Sequence, residues 1–282
     1  MSAQSPTITV VIPALNESKN LPGCLAAIGN DFASEIVVID SGSADNTTDI
    51  ARDFGAKVLH FKWDGQYPKK RNWFLINHSP STQWVLFLDA DEYITAEFKS
   101  EINRKLNGES HTGYWLHYAI YFMGKRLKGG YPLKKLALFK VDAGLYERID
   151  EERWSKLDME IHEHPVLQGT QGVITSKIDH RDFRGIESYV AKHDDYAAWE
   201  AARFLKISSD KNLQQSWTWK QKLKYRLMRS VWIGPVFFLG SYFLMGGFRD
   251  GKIGFSFALM KISYFNQIYC RISEMQAEKD DL

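Results

Sequence analysis

Asp89-Ala90-Asp91-Glu92 directly follows the apolar run Trp84–Leu88. A short apolar run of this kind predicts a buried strand. Acidic side chains at the end of such a strand lie where an open α/β sheet binds its ligands. Carboxylates bind hard cations such as Mg²⁺ or Mn²⁺, and these cations bind phosphates. The four residues therefore indicate a metal-bridged phosphate ligand, although an isolated Asp-x-Asp is more often a solvated acidic turn.

Two further polar loops follow predicted strands. Pro13–Glu17 follows the strand Thr7–Ile12, and Asp40–Thr47 follows the strand Glu35–Ile39. An Asp at a strand end can accept hydrogen bonds from a base or a ribose, and the Ser-Gly-Ser turn offers N–H groups and hydroxyls. Either loop alone is an ordinary turn that caps a helix. The convergence of three polar strand ends at one sheet edge favours a ligand site.

The elements that position these loops alternate between strands and helices. Leu21, Cys24, Leu25 and Ile28 recur at helical spacing between the first two strands. This alternation predicts a parallel sheet with helices on both faces. The predicted strands are Thr7–Ile12, Glu35–Ile39, Ala56–Phe61, Trp84–Leu88, Tyr114–Tyr121, Leu136–Val141 and Val173–Ile178, and Tyr189–Lys206 is a predicted amphipathic helix.

Composition excludes several classes of protein. The net charge of the 282-residue chain is only +2, which argues against a dedicated nucleic-acid binder. Its two cysteines, Cys24 and Cys270, form neither a disulfide framework nor a zinc site. The absence of G-x-G-x-x-G and Walker patterns counts against a nicotinamide dehydrogenase or a P-loop kinase. No secretory signal is recognisable at the N-terminus, so we expect the catalytic part to stay in the cytoplasm.

A basic run, Lys69-Lys70-Arg71, precedes a helix-like segment. Such runs are most often solvated. Beside a metal and a diphosphate, however, Lys70 and Arg71 could neutralise the charge of a leaving group.

Together these blocks resemble the family 2 glycosyltransferases of the GT-A fold, and most closely the bacterial enzymes that build lipopolysaccharide core or exopolysaccharide. The matching blocks are Val10–Glu17, Asp40-Ser41-Gly42-Ser43 with Asp45 and Thr47, Lys70-Arg71-Asn72, and Leu88–Glu92. The resemblance implies a Rossmann-like α/β fold with a mostly parallel sheet flanked by helices. The change of pattern after residue 110 and the polar stretch at about 207–218 predict a catalytic domain over residues 1–215, with a nucleotide-sugar half to about residue 110 and an acceptor half after it.

The resemblance also implies roles for individual residues. Asp91 would bind Mg²⁺ or Mn²⁺, His180 would complete the metal shell, and Asp89 would lie near the ribose or the donor sugar. The implied donor-binding residues are Pro13, Leu15, Glu17, Asp40, Ser41, Lys70, Arg71 and Asp89. The donor would be a nucleotide sugar, and the resemblance suggests a hexose linked to UDP.

An inverting transferase also needs a base that removes the proton of the acceptor hydroxyl, and a carboxylate is suitable. Candidates lie in the segment from Asp158 to Pro165. A similar His-Glu in related polysaccharide transferases aligns with His162-Glu163, so we choose Glu163. Glu160 and Asp158 are the alternatives.

The C-terminal region, residues 216–282, is rich in aromatic and basic residues. Ser230–Phe248 contains no charge, but glycines and Pro235 interrupt it, and it is barely long enough to cross a bilayer. Basic and aromatic residues alternate before it, which suits an anionic membrane surface. Helices lying on the inner membrane are our first interpretation, a helical pair packed on the catalytic domain is the second, and a transmembrane segment is the third.

The resulting hypothesis is an inverting, metal-dependent hexosyltransferase, cytoplasmic and peripheral to the inner face of the cell membrane. It would act on a lipid-linked saccharide acceptor in polysaccharide or lipopolysaccharide biosynthesis. A sugar-nucleotidyltransferase is one alternative, but it would be expected to carry a Gly-rich loop where this chain has Pro13–Glu17. A non-catalytic membrane-associated scaffold of the same fold is the other, and the carboxylates Asp89, Asp91 and Glu163 argue against it.

Overall fold

The computed structural model describes residues 7–108, 110–148, 157–159, 164–209, 214 and 217–280. The chain divides into two compact units. Residues 1–121 and 132–184 form the first, called here the sheet unit. Residues 122–131 and 185–282 form the second, called here the helical unit.

The strands of the described residues are β1 (Ile8–Ala14), β2 (Glu35–Asp40), β3 (Lys57–His60), β4 (Trp84–Phe87), β5 (Glu92–Tyr93), β6 (Gly113–Phe122), β7 (Lys125–Arg126), β8 (Lys134–Lys140), β9 (Gly144–Tyr146), β10 (Pro165–Leu167) and β11 (Gln171–His180). The main sheet runs in the order β3-β2-β1-β4-β8-β6-β11-β5. Every residue of β1 and β4 is buried, as expected for strands covered on both sides. All seven predicted strands are confirmed, with shifts of a few residues at their ends.

The half of the sheet that carries the predicted polar loops, β1 to β4, is parallel. The half formed by the later strands is mixed. β2 and β4 both pair in parallel with β1, and β3 pairs in parallel with β2. β8 is antiparallel to both β4 and β6, β11 is parallel to β6, and β5 is antiparallel to β11. The α/β fold with a mostly parallel sheet flanked by helices is thus confirmed, and antiparallel strands enter in its second half.

The helices of the described residues are α1 (Leu21–Ile28), α2 (Thr47–Asp53), α3 (Lys70–Asn77), α4 (Ala96–Gly108), α5 (Ile186–Ser209), α6 (Trp219–Met228), α7 (Ile233–Leu239) and α8 (Gly251–Asp280). α1 buries Leu21, Cys24, Leu25 and Ile28, the i, i+3, i+4, i+7 pattern that predicted it. These side chains belong to the same core as the strands of the sheet.

The helical unit is built around α5 and α8. Ala201 and Phe204 of α5 share a core with Ile268 and Ile272 of α8. The predicted helix Tyr189–Lys206 is confirmed, and α5 extends beyond it at both ends.

The uncharged segment 230–248 is not one continuous helix. It contains α7, a π-helical turn over Gly240–Leu244 and the start of a 3₁₀ turn over Gly247–Asp250. Gly246 has a left-handed backbone, with φ of 72°, and this conformation interrupts the helical path. In the described part of the chain, no helix has the length and apolarity that a membrane crossing requires.

Candidate active site

The loops after β1 and β2 are joined to each other at the same edge of the sheet. The Asn16 N–H donates to Ser43 Oγ over 2.9 Å, and the Glu17 N–H donates to Thr47 Oγ1 over 2.8 Å. The loops belong to adjacent parallel strands, which explains why they meet. The predicted convergence of these two strand ends is therefore confirmed.

Asp40 is buried and organises its own loop. Its carboxylate accepts hydrogen bonds from the N–H groups of Gly42, at 3.0 Å, and Ser43, at 3.2 Å. Next to Asp40, the Ser41 hydroxyl donates to the Asp158 carboxylate. In the first loop, Leu15 is exposed. Asp40 thus fixes the backbone of the loop after β2, beside the loop that carries Leu15 and Glu17.

Asp89 lies between two cations. Its Oδ1 is 2.9 Å from Nη2 of Arg71, and its Oδ2 is 2.5 Å from Nζ of Lys135. Burial alone would raise the pKa of Asp89, but Lys135 and Arg71 outweigh it and hold that pKa well below its usual value. Asp89 is therefore a carboxylate that holds Arg71 and Lys135 at the strand end.

Lys135 is a site residue that the sequence interpretation missed. The Lys135 Nζ also lies 2.5 Å from Oε1 of Glu92, which is buried. The antiparallel register pairs Leu86 of β4 with Leu138 of β8, and continuing it by three residues brings Asp89 opposite Lys135. The sequence shows a lysine at the start of an apolar strand, but it does not show which strand pairs with it, so the contact with Asp89 could not be predicted.

Asp91 and His180 meet because β11 pairs with β5. His180 is opposite Glu92 in that antiparallel pairing, and the Arg181 N–H donates to the Asp91 carbonyl oxygen over 2.8 Å. The His180 Nε2 lies 3.3 Å from Oδ2 of Asp91. Burial alone would lower the pKa of His180, but the Asp91 carboxylate outweighs it and raises that pKa.

This pair fits a hard divalent cation that has few protein ligands. Among the described residues, no group of three or more His, Cys, Asp and Glu side chains forms a complete metal cage. Mg²⁺ is commonly held by one or two carboxylates, with waters and substrate phosphates filling its other positions. One buried carboxylate and one imidazole at the sheet edge agree with that pattern.

The basic run at the start of α3 is buried, so the solvated alternative is wrong. Lys69, Lys70 and Arg71 are each less than a tenth exposed. The Lys70 Nζ is 3.1 Å from Oδ2 of Asp158, and its backbone N–H donates to the Asp158 carbonyl oxygen over 3.0 Å. Asp158 therefore connects the loop after β2 to the start of α3.

The candidates for the base differ in whether the structure describes them. Glu163, its neighbour His162 and the alternative Glu160 lie outside the described residues. Asp158 is described, and its carboxylate already contacts Ser41 and Lys70. Asp158 is thus placed to hold the two loops together.

Glu17 is anchored by an arginine that follows β11. Its Oε1 lies 2.8 Å from Nη1 of Arg184, and its Oε2 accepts from Nδ2 of Asn20 over 2.8 Å. Arg184 also pairs with Asp182 at 2.8 Å. Glu17 and the segment that carries His180 are therefore tied to one another within the sheet unit.

Comparisons with known proteins indicate the family of this chain. The model of "Glycosyl transferase family 2" matches residues 9–160. Glycosyltransferase SunS of Bacillus subtilis is 38% identical over 102 residues, covering 36% of this chain and 24% of SunS. This chain thus spans about a quarter of the length of that relative.

A second relative matches over most of its length. An uncharacterized glycosyltransferase of Rickettsia felis is 25% identical over 261 residues, covering 89% of this chain and 86% of the relative. Among solved structures, glucosyl-3-phosphoglycerate synthase of Mycobacterium tuberculosis, in complex with Mn²⁺, UDP-glucose and glycerol 3-phosphate, is 25% identical with a TM-score of 0.32, covering 43% of this chain and 46% of that chain. The family model covers more than half of the sequence and all three strand-end loops, and this chain therefore belongs to the family 2 glycosyltransferases.

Proposed function

We propose that this protein is an inverting, metal-dependent glycosyltransferase that moves a hexose from a UDP-linked donor to a hydroxyl of a lipid-linked saccharide. The reaction would serve lipopolysaccharide or other cell-surface polysaccharide biosynthesis. One observation carries the catalytic part of the proposal: Asp91 lies 3.3 Å from His180 at the sheet edge where Asp89 gathers Arg71 and Lys135. Asp91 and His180, which could bind a cation, thus lie at the same sheet edge as Arg71 and Lys135, which could bind a diphosphate.

The donor would bind along the edge formed by β1, β2 and β4. Pro13, Leu15, Glu17, Asp40 and Ser41 would hold the nucleoside. Lys70 and Arg71 would face the diphosphate, and Asp89 would keep Arg71 in place for that contact. The assignment of UDP rests on the family resemblance.

Asp91 and His180 would hold Mg²⁺ or Mn²⁺. Such an ion, when bound, supplies positive charge that neutralises donor phosphates. Arg71 and Lys135 add two fixed cations around Asp89, which balance the acidic cluster of Asp89 and Glu92 before the donor arrives. Hydrogen-bond donors that are held in place before the donor sugar binds need no reorientation as charge develops on the leaving group.

Glu163 would take the proton of the acceptor hydroxyl as that oxygen attacks the anomeric carbon. Attack opposite to the leaving nucleotide would invert the anomeric centre. Support for Glu163 over Asp158 comes from the contacts of Asp158 with Lys70 and Ser41, since a carboxylate committed to two donors is a poorer proton acceptor.

The proposal places the acceptor on a membrane. Residues 1–215 would form the catalytic domain, and residues 216–282 would associate with the inner face of the cell membrane from the cytoplasmic side. Large apolar side chains of the C-terminal region are exposed, including Trp219, Trp232, Leu239 and Leu244. Exposed apolar groups among lysines and arginines are typical of interfacial helices.

A donor screen tests the proposal. Purified protein would be incubated with Mn²⁺ and a panel of UDP-, GDP- and CMP-sugars, and nucleotide release would be measured with and without membrane lipid extract. We expect release from a UDP-hexose that requires the metal and increases with extract. No release from any donor under any condition would favour the non-catalytic scaffold.

A further inference from the structure

Two segments of the helical unit that are far apart in sequence lie together. The first, residues 122–131, is called here the hairpin segment and contains β7. The second, residues 243–255, is called here the glycine-rich loop; it contains the 3₁₀ turn and the start of α8. The Gly130 N–H donates to the carbonyl oxygen of Met245 over 3.0 Å.

Asp250 fixes the hairpin segment to the glycine-rich loop. Its carboxylate accepts hydrogen bonds from the backbone N–H groups of Lys128, at 2.9 Å, and Gly129, at 3.0 Å. A carboxylate that accepts two backbone N–H groups makes charge-assisted bonds, which are stronger than those between neutral groups. The one acidic side chain of the two segments is thus occupied in joining them.

Glycines let the two backbones approach closely. A Cβ atom on Gly129 would lie 2.1 Å from the carbonyl oxygen of Gly246, and one on Gly254 would lie 2.0 Å from that of Gly247. No side chain fits at either position. Phe122 and Phe257 pack behind this contact with ring centroids 5.2 Å apart. The two segments therefore form one fixed surface.

Large apolar side chains of both segments are exposed. Leu244 is 87% exposed, and Met123 is 67% exposed. The other exposed large apolar side chains of the two segments are Tyr131, Phe243, Met245, Phe248 and Phe255. Phe243 and Phe255 contact the same ring, that of Tyr242, at 5.0 and 5.5 Å. Clustered exposed side chains of this size mark an interaction surface in a folded protein.

The charged side chains of the two segments are mostly basic. Lys125, Arg126 and Lys128 of the hairpin segment are exposed, as are Arg249 and Lys252 of the glycine-rich loop. Five cations face solvent and Asp250 is the single acidic residue of the two segments, so five positive charges against one negative charge leave a net charge of +4. A second copy of this surface would repel the first. An anionic bilayer offers both the complementary charge and an apolar interior.

We propose that the hairpin segment and the glycine-rich loop together form the surface that docks on an anionic membrane. The inference rests on the proposed membrane association and specifies its contact surface. Leu244, Phe248 and Met123 enter the bilayer interface, while the five cations bind lipid phosphates. The alternative surface is α6, where Trp219 and Leu223 are exposed beside basic residues.

Vesicle sedimentation of the full-length protein tests this surface. The vesicles contain phosphatidylcholine with or without phosphatidylglycerol. We expect binding only with phosphatidylglycerol, and about a tenfold loss or more for Leu244→Glu and for the pair Lys125→Glu with Arg126→Glu. Ile76→Glu and Val166→Glu, at exposed apolar positions of the sheet unit, are matched controls that should bind as the unchanged protein does.

The outcomes separate this inference from the broader proposal. If Trp219→Glu or Leu223→Glu abolishes binding and Leu244→Glu does not, the docking surface is α6, and this inference fails while membrane association stands. If the unchanged protein binds neither kind of vesicle, both this inference and the proposed membrane association are wrong. The proposed transferase activity is tested independently, by nucleotide release from the donor. Loss of a dimer by Leu244→Glu in sedimentation velocity would make the surface a self-interface and would also overturn the inference. Circular dichroism melts confirm that each variant is folded.

Discussion

The Lys135 Nζ lies 2.5 Å from the Asp89 carboxylate and also 2.5 Å from that of Glu92. One lysine thus bridges two acidic residues that the chain places at the end of β4. Burial raises the pKa of Glu92, and the nearby lysine opposes that rise. Lys135 of β8 is therefore the cation that ties the acidic residues together at this edge of the sheet.

Lys135→Met should destabilise the protein strongly. The substitution removes the ion pairs that Asp89 and Glu92 make with Lys135, and we expect a loss of about 3 kcal/mol or more in the free energy of unfolding. Urea denaturation measures this loss. Lys134→Met, at the exposed neighbouring position, is the control and should change stability by less than about 0.5 kcal/mol. Equal effects of the two substitutions would show that the bridge does not support the cluster.

Glu163→Gln should separate donor binding from transfer. The amide keeps the size of the side chain but cannot accept the proton of an acceptor hydroxyl. We expect unchanged affinity for UDP with Mn²⁺ and a loss of turnover of about 100-fold or more. Asp158→Asn is the comparison and should instead weaken donor binding, since Asp158 holds Lys70 and Ser41. Near-normal turnover of Glu163→Gln would assign the base to another residue.

Glu101 should make stability depend on pH in the acidic range. Burial would raise its pKa, but hydrogen bonds from Thr175 and Ser176 outweigh it and lower the pKa to about 2 from the ordinary value of 4.5. A lowered pKa gives stability that is complete above about pH 4.5 and is lost as the pH falls toward 2. The contribution at neutral pH is on the order of 3 kcal/mol.

The comparison of Glu101→Gln with the unchanged protein isolates this effect. Their difference in unfolding free energy should be largest at neutral pH and should shrink as the pH approaches 2. Glu97→Gln, an exposed position on the same helix, provides the control and should show no such trend. A difference that stays constant from pH 7 to pH 2 would refute the assignment.

Truncation after residue 215 should damage the fold of the helical unit. The cut removes α8 and uncovers Ala201 and Phe204 of α5, which pack with Ile268 and Ile272. We expect the shortened protein to bind a hydrophobic dye and to aggregate on size-exclusion chromatography. A chain that ends after residue 276 keeps this core and should stay monodisperse. A well-behaved protein ending at residue 215 would show that α5 does not need α8.

The sequence predicted the parallel half of the site well because local patterns determine it. Continuous apolar runs gave β1, β2 and β4, and parallel strands place their following loops at one edge. Asp40, Asp89 and Asp91 followed directly from that rule. The antiparallel half was not predictable in the same way.

Long-range register explains what the sequence did not reveal. Lys135 reaches Asp89 only because β8 runs antiparallel beside β4, and no local pattern specifies that partner. His180 reaches Asp91 through a pairing between β11 and the two-residue β5, which is too short to be recognised from periodicity. Resemblance alone had indicated His180, and the structure supplies the physical reason for its position.

Asp91 is proposed to bind the metal that in turn binds the donor diphosphate, and calorimetry of UDP binding is the sharpest test of this role. Titrations of the unchanged protein, Asp91→Ala and the exposed control Asp53→Ala would be compared with Mn²⁺ and with EDTA. We expect Mn²⁺-dependent UDP binding for the unchanged protein and Asp53→Ala, and its complete loss in Asp91→Ala. Unchanged affinity of Asp91→Ala for UDP in the presence of Mn²⁺ would contradict it.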